Sequence, residues 1–234
     1  MTNCETVSSQ GALGEKIGCV TLTKQFFEKN KITNNDNKEL PISFSEFKGL
    51  PVQYMNQVHG KSVGIINNFS NEPIPNTDAL FTKSNKLSLA IMSADCLPVA
   101  ITNTEGTEIA LLHAGWKGLS SGIIQETLKI FNTENKGLKS WLAPCISQMK
   151  YEVGIDVYEA FMNLDEESVK NFQQVDSKKW LFDLKAEAAR VLINLNVQVF
   201  QSNYCTYTDK DMFYSYRRNK TDKRVLTLLW RKNV

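Results

Sequence analysis

The chain has 234 residues, of which 42% are hydrophobic and 22% are charged, the composition of a folded globular protein rather than of a disordered one. Its 27 basic and 25 acidic residues give a formal net charge of +2, with no long run of either sign. This balance gives no reason to expect nucleic acid or a membrane surface as a partner.

The domain organisation is predicted to be simple. No Pro-, Gly- or Ser-rich linker divides the chain, so one domain is expected. Residues 1–15 lack hydrophobic periodicity and are predicted to form a flexible N-terminal tail, which leaves residues 16–234 as a single catalytic domain. Residues 1–18 have no apolar signal-peptide core, and no segment approaches the ~18 apolar residues of a membrane helix. A cytoplasmic protein is therefore expected.

The first of the chain's two histidines follows a strand-like segment. Residues 52–57 have strand composition and lead to His59 in a turn, and residues 62–66 predict another strand. A proline-containing loop over 68–76 precedes Asp78, which is followed directly by an apolar run. The commoner role of such an aspartate is to bond nearby backbone in a turn.

A short polar turn joins the next two predicted strands. Residues 87–92 and 97–102 are apolar runs typical of buried strands, and the turn between them contains Asp95 and Cys96. A buried carboxylate is costly unless it is paired or hydrogen-bonded, so Asp95 is expected to face a cation or an imidazole.

The second histidine ends a third strand, predicted over residues 108–112, and a glycine-bracketed loop follows His113. Apolar residues then recur at helical spacing. A helix N-terminus behind glycines is a ready anion site, and Lys117 lies in the same loop. Trp116 is expected either to pack in the core or to offer a flat surface to a base or sugar ring.

The C-terminal part contains further packing elements and a basic pair. Helices are predicted to begin at Asp156 and Asp183, and a closing strand is predicted over 225–230. Before that strand, Arg217 and Arg218 end an aromatic segment. Their planar guanidinium groups are either phosphate ligands or a solvated basic edge.

The cysteines do not form a disulfide pattern. An odd number of widely spaced cysteines without a secretory signal argues against a disulfide framework. Cys145 and Cys205 are expected to be small buried apolar residues. The cysteines are Cys4, Cys19, Cys96, Cys145 and Cys205.

We hypothesise that His59, Cys96 and His113 converge at strand ends to form one metal site. Catalytic zinc sites commonly use three ligands drawn from His, Cys and carboxylate and leave a fourth position open. The separations, 37 residues from His59 to Cys96 and 17 from Cys96 to His113, are too long for a zinc finger. The alternatives are three ordinary core or surface residues, or a nucleophilic pair of Cys96 with one histidine.

Several stretches of this chain resemble the YfiH family of laccase-domain or polyphenol-oxidase-like proteins, which are regarded as purine nucleoside phosphorylases. The resemblance covers about residues 50–234, in family order. The matching stretches are QVHG (57–60), TDAL (77–80), SADCLPV (93–99), LLHAGWKG (111–118), YEVG (151–154), CTYT (205–208) and FYSYRR (213–218).

The resemblance implies an α+β fold, a single domain with mixed β-sheets flanked by helices. It also implies that His59, Cys96 and His113 are catalytic zinc ligands. The implied activity is phosphorolysis of adenosine, inosine, guanosine and methylthioadenosine, with adenosine deamination as a second activity. The expected partners are therefore a purine nucleoside and phosphate, and the expected state is a monomer.

Secondary roles are assigned as hypotheses. Asp95 is predicted to be an acid/base or an orienting group behind the ligands. Lys117, with the helix N-terminus after it, and Arg217 with Arg218 are the predicted phosphate-binding groups. The family's Arg-Gly-Gly-Val-Ser type loop has no counterpart before His59.

Two rival functions stay open beside the phosphorylase. Older descriptions of the family name copper oxidases, but two histidines are too few for a multicopper cluster, so copper is disfavoured. A metal-free cysteine hydrolase or editing enzyme acting on peptidoglycan precursors would use the same three residues differently, in line with a bacterial branch of the family tied to such editing.

Overall fold

The structure, a computed structural model, describes residues 5–32 and 49–232. The strands in these ranges are β1 (Thr6–Ser8), β2 (Ile17–Leu22), β3 (Val52–Gln53), β4 (Val63–Ile65), β5 (Ala79–Thr82), β6 (Ser88–Ser93), β7 (Leu97–Asn103), β8 (Ile109–Ala114), β9 (Leu138–Leu142), β10 (Glu152–Gly154), β11 (Phe172–Asp176), β12 (Lys179–Phe182), β13 (Gln198–Gln201) and β14 (Val225–Arg231). The α-helices are α1 (Lys24–Lys29), α2 (Trp116–Ser120), α3 (Ile123–Leu128), α4 (Ile155–Met162), α5 (Leu184–Asn194) and α6 (Tyr216–Asn219).

These elements form an α+β domain with mixed sheets, as predicted. A five-stranded sheet has the order β1-β2-β14-β6-β3, and a six-stranded sheet has the order β13-β9-β7-β8-β5-β4. Both sheets combine parallel and antiparallel pairs. In the five-stranded sheet β3 runs parallel to β6. In the six-stranded sheet β4 runs parallel to β5, and β13 runs parallel to β9. A small sheet, β10-β12-β11, lies beside them.

The two large sheets pack face to face through one hydrophobic cluster. Side chains alternate along β14: Val225 and Leu229 join the cluster between the sheets, whereas Leu226 and Leu228 join a second cluster with α1. Leu111 of β8 reaches the inter-sheet cluster from the opposite sheet. The domain therefore has a sheet-on-sheet core, with helices covering the outer faces.

The chain crosses from one large sheet to the other at the short polar turn predicted from the sequence. β6 belongs to the five-stranded sheet and ends at Ser93, and β7 of the six-stranded sheet begins at Leu97. The crossing therefore brings Asp95 and Cys96 to one end of the inter-sheet core, where β8 also delivers His113.

The helix predicted after His113 is two short helices rather than one. Gly122, which has a φ of 90°, separates α2 from α3. A residue in this left-handed conformation ends a helix, and glycine adopts it without steric cost. The apolar spacing was correct, since Leu119, Ile123 and Leu128 all lie in the cluster beneath the helices.

The flexible tail predicted over residues 1–15 is wrong for residues 5–15. Thr6–Ser8 pairs with β2 in antiparallel register, and Val7 and Leu13 are buried in the inter-sheet cluster. Three residues are too few to show periodicity, so the strand gave no sequence signal.

The two predicted helix starts have different outcomes. Asp183 caps α5 by accepting the Ala186 N–H, as predicted, whereas Asp156 lies in the first turn of α4 and Gly154 occupies the cap. In the Asn- and Lys-rich passage over residues 25–39, for which the sequence favours neither helix nor strand, residues 33–39 lie outside the described residues. None of the helices in the described ranges is long and apolar enough to cross a membrane.

A glycine in β2 makes the fold's sheet packing testable. Trp230 of β14 pairs with Gly18, and a Cβ at Gly18 would lie 2.1 Å from the indole ring. We expect Gly18→Ala to lower the free energy of unfolding by about 1–3 kcal/mol, because the buried ring must move. Urea denaturation measures this change.

The control is Gln198→Ala on the exposed edge strand β13, expected to change the free energy of unfolding by less than about 0.5 kcal/mol. Equal stability of Gly18→Ala and wild type would contradict the packing of Trp230 on Gly18.

Candidate metal centre

His113 lies at the end of β8 and is held by a carboxylate on the neighbouring strand. Its side chain is 3% exposed, and its Nδ1 lies 2.9 Å from Oδ1 of Asp78. Ala79 of β5 pairs with Leu112, so Asp78 comes beside His113 through ordinary antiparallel register. With Nδ1 engaged, Nε2 is the nitrogen left to serve as a ligand.

The same carboxylate shapes the loop that carries His59. Asp78 accepts the backbone N–H groups of Val58, His59 and Gly60 at 3.1, 2.9 and 2.7 Å. His59 adopts a φ of 61°, an uncommon conformation that these three hydrogen bonds stabilise. The expected role of Asp78 in its own turn is therefore wrong: its carboxylate bonds backbone 18–20 residues earlier in the chain and the imidazole of His113.

Asp78 is buried, yet it is held in its charged form. Burial opposes its ionisation, but the hydrogen bond with His113 and those from Gly60 and Val58 outweigh this effect and lower the pKa of Asp78. A single buried anion therefore orients the His113 imidazole and fixes the backbone of the loop that carries His59.

Cys96 is presented by a strained turn. Asp95 has a φ of 92°, and its carboxylate accepts hydrogen bonds from Thr206 Oγ1 at 2.7 Å, Ser215 Oγ at 3.0 Å and Arg217 N at 2.6 Å. These three donors satisfy the buried carboxylate. The expectation that Asp95 faces a cation or imidazole is therefore wrong: it braces the turn before Cys96 against the C-terminal segment.

The three predicted ligands lie together, which confirms that they converge. Their ligand atoms are all within 4.8 Å of one another, and Cys96 Sγ lies 3.9 Å from His59 Nε2. Zn–N and Zn–S bonds of about 2.0–2.3 Å place ligand atoms about 3.5 Å apart around a tetrahedral ion. Small side-chain movements suffice to reach that spacing, so the cluster fits a zinc-sized ion with one position open.

In the metal-free cluster the Cys96 thiolate favours metal binding, whereas His113 must release a proton before its Nε2 can bind a metal. Burial opposes ionisation of Cys96, but hydrogen bonds with His113 and His59 outweigh it and lower the pKa of this thiol from its ordinary 9.0 to about 6. Burial likewise opposes protonation of His113, but Asp78 and Cys96 raise its pKa to about 9. The thiolate is the form that binds metals.

A glycine closes one side of the cluster. A Cβ at Gly115, the residue before α2, would lie 3.2 Å from both Cys96 Sγ and His59 Cδ2. The side chain of any other residue there would crowd the ligands, so the glycine in this loop permits a close approach to the cluster.

The groups predicted to bind phosphate are not part of the cluster of His59, Cys96 and His113. Lys117 is exposed over the Trp116 ring at the start of α2, which is five residues long, and the anion site there stays a prediction. Arg218 is committed to the carbonyl oxygens of Thr206, Tyr207 and Phe213. Its Nη1 and Nη2 groups thus have protein partners, and phosphate binding by Arg218 stays a prediction.

The side chains of Arg217 and Trp116 make packing contacts within the protein. The Arg217 guanidinium donates to the Glu152 carbonyl at 2.7 Å and lies over the Tyr151 ring. Trp116 packs against the helix-side hydrophobic cluster, so its core interpretation is confirmed. Cys145 and Cys205 are buried, as expected.

A cavity of about 600 Å³ opens on the cluster, a size typical of small-molecule sites. His59, Cys96 and His113 form part of its wall. The sequence reasoning missed its other members, because they come from a loop, from the last residues of β6 and from the segment before β14. They are Tyr54, Met55, Asn56, Gln57, Pro73, Pro75, Met92, Ser93, Ala94, Tyr216 and Arg224.

The fold and this cluster define an α+β protein with a candidate metal centre on a small-molecule cavity. Residues 29–232 match the family model described as "Multi-copper polyphenol oxidoreductase laccase", and the chain belongs to this family, that of the YfiH or laccase-domain proteins. The resemblance seen in the sequence motifs is thereby confirmed.

Named relatives and solved structures agree with this assignment. The chain is 37% identical over 198 residues to the Escherichia coli protein named "Purine nucleoside phosphorylase YfiH", covering 83% of this chain and 79% of that protein. A crystal structure of a Neisseria meningitidis protein has a TM-score of 0.82 at 26% identity, covering 98% of this chain and 100% of the other. YlmD from Geobacillus stearothermophilus shares the fold at 18% identity, with a TM-score of 0.82 and coverage of 100% and 98%.

The lowered pKa of Cys96 predicts a reactive thiol in metal-free protein. Its pKa lies below the ordinary 9.0, so the thiolate predominates above pH 6 rather than above pH 9. We expect alkylation of Cys96 by iodoacetamide to be half-maximal near pH 6, and added zinc to protect Cys96 from alkylation. Mass spectrometry of the peptide that contains Cys96 measures the alkylated fraction. A midpoint near pH 9 would contradict the described contacts of the thiol.

The double role of Asp78 predicts weaker metal binding when its charge is removed. We expect Asp78→Asn to reduce zinc affinity about 10–100-fold, because His113 and the His59 loop lose their shared anion. Competition with a fluorescent chelator measures the affinity. The control is Asp156→Asn on the exposed first turn of α4, which should bind zinc like wild type; unchanged affinity in Asp78→Asn would refute the orienting role.

Proposed function

We propose that this protein is a zinc-dependent purine nucleoside phosphorylase. The observation that carries the proposal is the His59, Cys96 and His113 cluster, whose ligand atoms lie within 4.8 Å of one another on the wall of the cavity. The name of the 37% identical Escherichia coli relative supplies the reaction class. The proposed substrates are adenosine, inosine, guanosine and methylthioadenosine, with phosphate as the second substrate.

Zinc is the proposed metal because catalytic zinc sites commonly use three protein ligands drawn from His, Cys and carboxylate and leave a fourth position open. The description of the family names copper, but the chain contains two histidines in all, too few for a multicopper cluster. Zinc held by the three ligands supplies a Lewis acid next to the substrate.

The residues of the chain provide binding and orientation. Tyr54 and Tyr216 line the cavity and offer ring faces against which a purine can stack, and Tyr216 is 50% exposed at its mouth. Asp78 holds the His113 imidazole and the backbone of the His59 loop, so the site is organised before substrate arrives. Such preorganisation lowers the cost of reaching the transition state.

Two reactions fit this site. In phosphorolysis a phosphate oxygen forms a bond to the ribose C1′ while the bond from C1′ to the purine nitrogen breaks, which yields ribose 1-phosphate and the free base. In adenosine deamination water adds at C6 and ammonia leaves. We propose phosphorolysis as the main activity and deamination as the second, in a monomeric protein of the cytoplasm.

One observation favours a second candidate function. Cys96 has a lowered pKa and lies beside two imidazoles, the arrangement of a cysteine nucleophile with its base. A cysteine-type hydrolase or editing enzyme acting on peptidoglycan precursors is therefore the alternative, and it needs no metal.

Product analysis with and without phosphate tests the proposal. Purified protein loaded with zinc is incubated with adenosine, and adenine, inosine and ribose 1-phosphate are followed by chromatography. We expect adenine and ribose 1-phosphate to appear only when phosphate is present, and inosine to appear without it.

Metal analysis of variants separates the two candidates. Wild type should contain about one zinc per chain, and Cys96→Ala should lose both zinc and activity, whereas Cys19→Ala in the inter-sheet core should keep both. Metal-free protein with full activity would reject the zinc enzyme and favour the cysteine hydrolase.

A further inference from the structure

Ser93 has a buried hydroxyl without a hydrogen-bond partner among the described residues. Its side chain is 2% exposed, and it lines the cavity that opens on the candidate metal centre. Of the buried side-chain atoms that lack a partner in the described ranges, Ser93 Oγ is the one on this cavity wall. Buried hydroxyls are normally satisfied, so an unsatisfied one facing a cavity indicates a position for a ligand atom.

The strand geometry explains why Ser93 faces this space. Leu89 and Ile91 of β6 point into the inter-sheet cluster, and Ser93 continues the same face two residues further on. It is the last residue of β6, three residues before Cys96. The hydroxyl therefore lies where the inter-sheet core ends and the cavity begins.

Arg224, the residue directly before β14, also lines this cavity. Val225 pairs with Ser93, so Arg224 lies directly beyond the end of this strand pair, and it lines the cavity. Its Nη1 donates to the carbonyl oxygens of Thr221 and Lys223, both at 2.9 Å. These bonds anchor one side of the guanidinium, and within the described ranges its Nε and Nη2 have no hydrogen-bond partner.

The charge of Arg224 is also unbalanced. No carboxylate among the described residues forms an ion pair with it, and the described lining of the cavity contains neither aspartate nor glutamate. Arg190, by contrast, is paired with Asp165 and Glu187. An uncompensated, anchored guanidinium on a cavity wall attracts an anion.

A guanidinium with free N–H groups and a serine hydroxyl donor together match a tetrahedral oxyanion. Arginine binds phosphate oxygens through two parallel N–H groups, and a hydroxyl donates to a third oxygen. The cavity, at about 600 Å³, has room for phosphate beside a nucleoside.

We propose that Ser93 and Arg224 form the phosphate-binding subsite of this cavity, in place of Lys117, Arg217 and Arg218. The assignment of the anion as the co-substrate rests on the proposed phosphorylase function. The prediction that these two residues bind inorganic phosphate is independent of that function, because it follows from the unpartnered hydroxyl and the uncompensated guanidinium.

Steady-state kinetics with adenosine tests the subsite in the active enzyme. We expect Arg224→Gln to raise the KM for phosphate at least tenfold and Ser93→Ala to raise it several-fold, while the KM for adenosine and the zinc content change less than twofold. Arg224→Lys keeps the charge without the fork and should be intermediate. Circular dichroism verifies that each variant is folded.

The control is Lys223→Gln, an exposed neighbour whose loss removes the same charge. Lys223→Gln should leave the KM for phosphate unchanged. An increase in this KM equal to that of Arg224→Gln would show a general charge effect and would overturn the specific subsite. Unchanged KM for phosphate in both Arg224→Gln and Ser93→Ala would overturn the subsite and leave the phosphorylase proposal standing.

Direct binding separates the subsite from the function. Inorganic phosphate and adenosine 5′-monophosphate are titrated calorimetrically into zinc-loaded wild type and Arg224→Gln. Weaker binding of inorganic phosphate to the variant supports the subsite even if no phosphorolysis is found. Equal binding of inorganic phosphate with weaker binding of the nucleotide alone would overturn the assignment, because the anion would then be an ester of the ligand.

Discussion

The carboxylate of Asp78 is the interaction on which the candidate centre depends. It joins a strand residue, His113, to a loop residue, His59, and it uses both of its oxygens to do so. Placing this anion out of water is unfavourable in itself, and four hydrogen bonds compensate for it. One group thus orients the His113 imidazole and fixes the backbone of His59, a residue remote from it along the chain.

A second buried carboxylate completes the arrangement from the other side. Asp95 ties the turn before Cys96 to Thr206, Ser215 and the start of α6. The C-terminal segment therefore supports the thiolate although it contributes no ligand. Neither aspartate touches the cavity, and both act by positioning the residues that do.

The sequence predicted the ligands well and their surroundings poorly, for a physical reason. Residue type and the strands before them made a site of His59, Cys96 and His113 one of several hypotheses, and the motifs shared with the YfiH family singled these three residues out. Asp95 and Asp78 exchanged their expected roles, since the direction of a side chain at a turn depends on φ, and Asp95 has the unusual value of 92°. The partners of Arg218 and the cavity position of Arg224 depend on contacts across more than one strand, which local patterns do not contain.

The passage of the chain between the two large sheets also links metal binding to the stability of the whole domain. Ser93 ends a strand of one sheet, Cys96 precedes a strand of the other, and His113 belongs to the second. The turn after Ser93 ties Cys96 to the five-stranded sheet and Leu97 ties it to the six-stranded sheet, so an ion bound at the candidate centre would sit where the two layers join. Occupancy of the centre should therefore slow hydrogen exchange in both sheets together, including strands that supply no ligand.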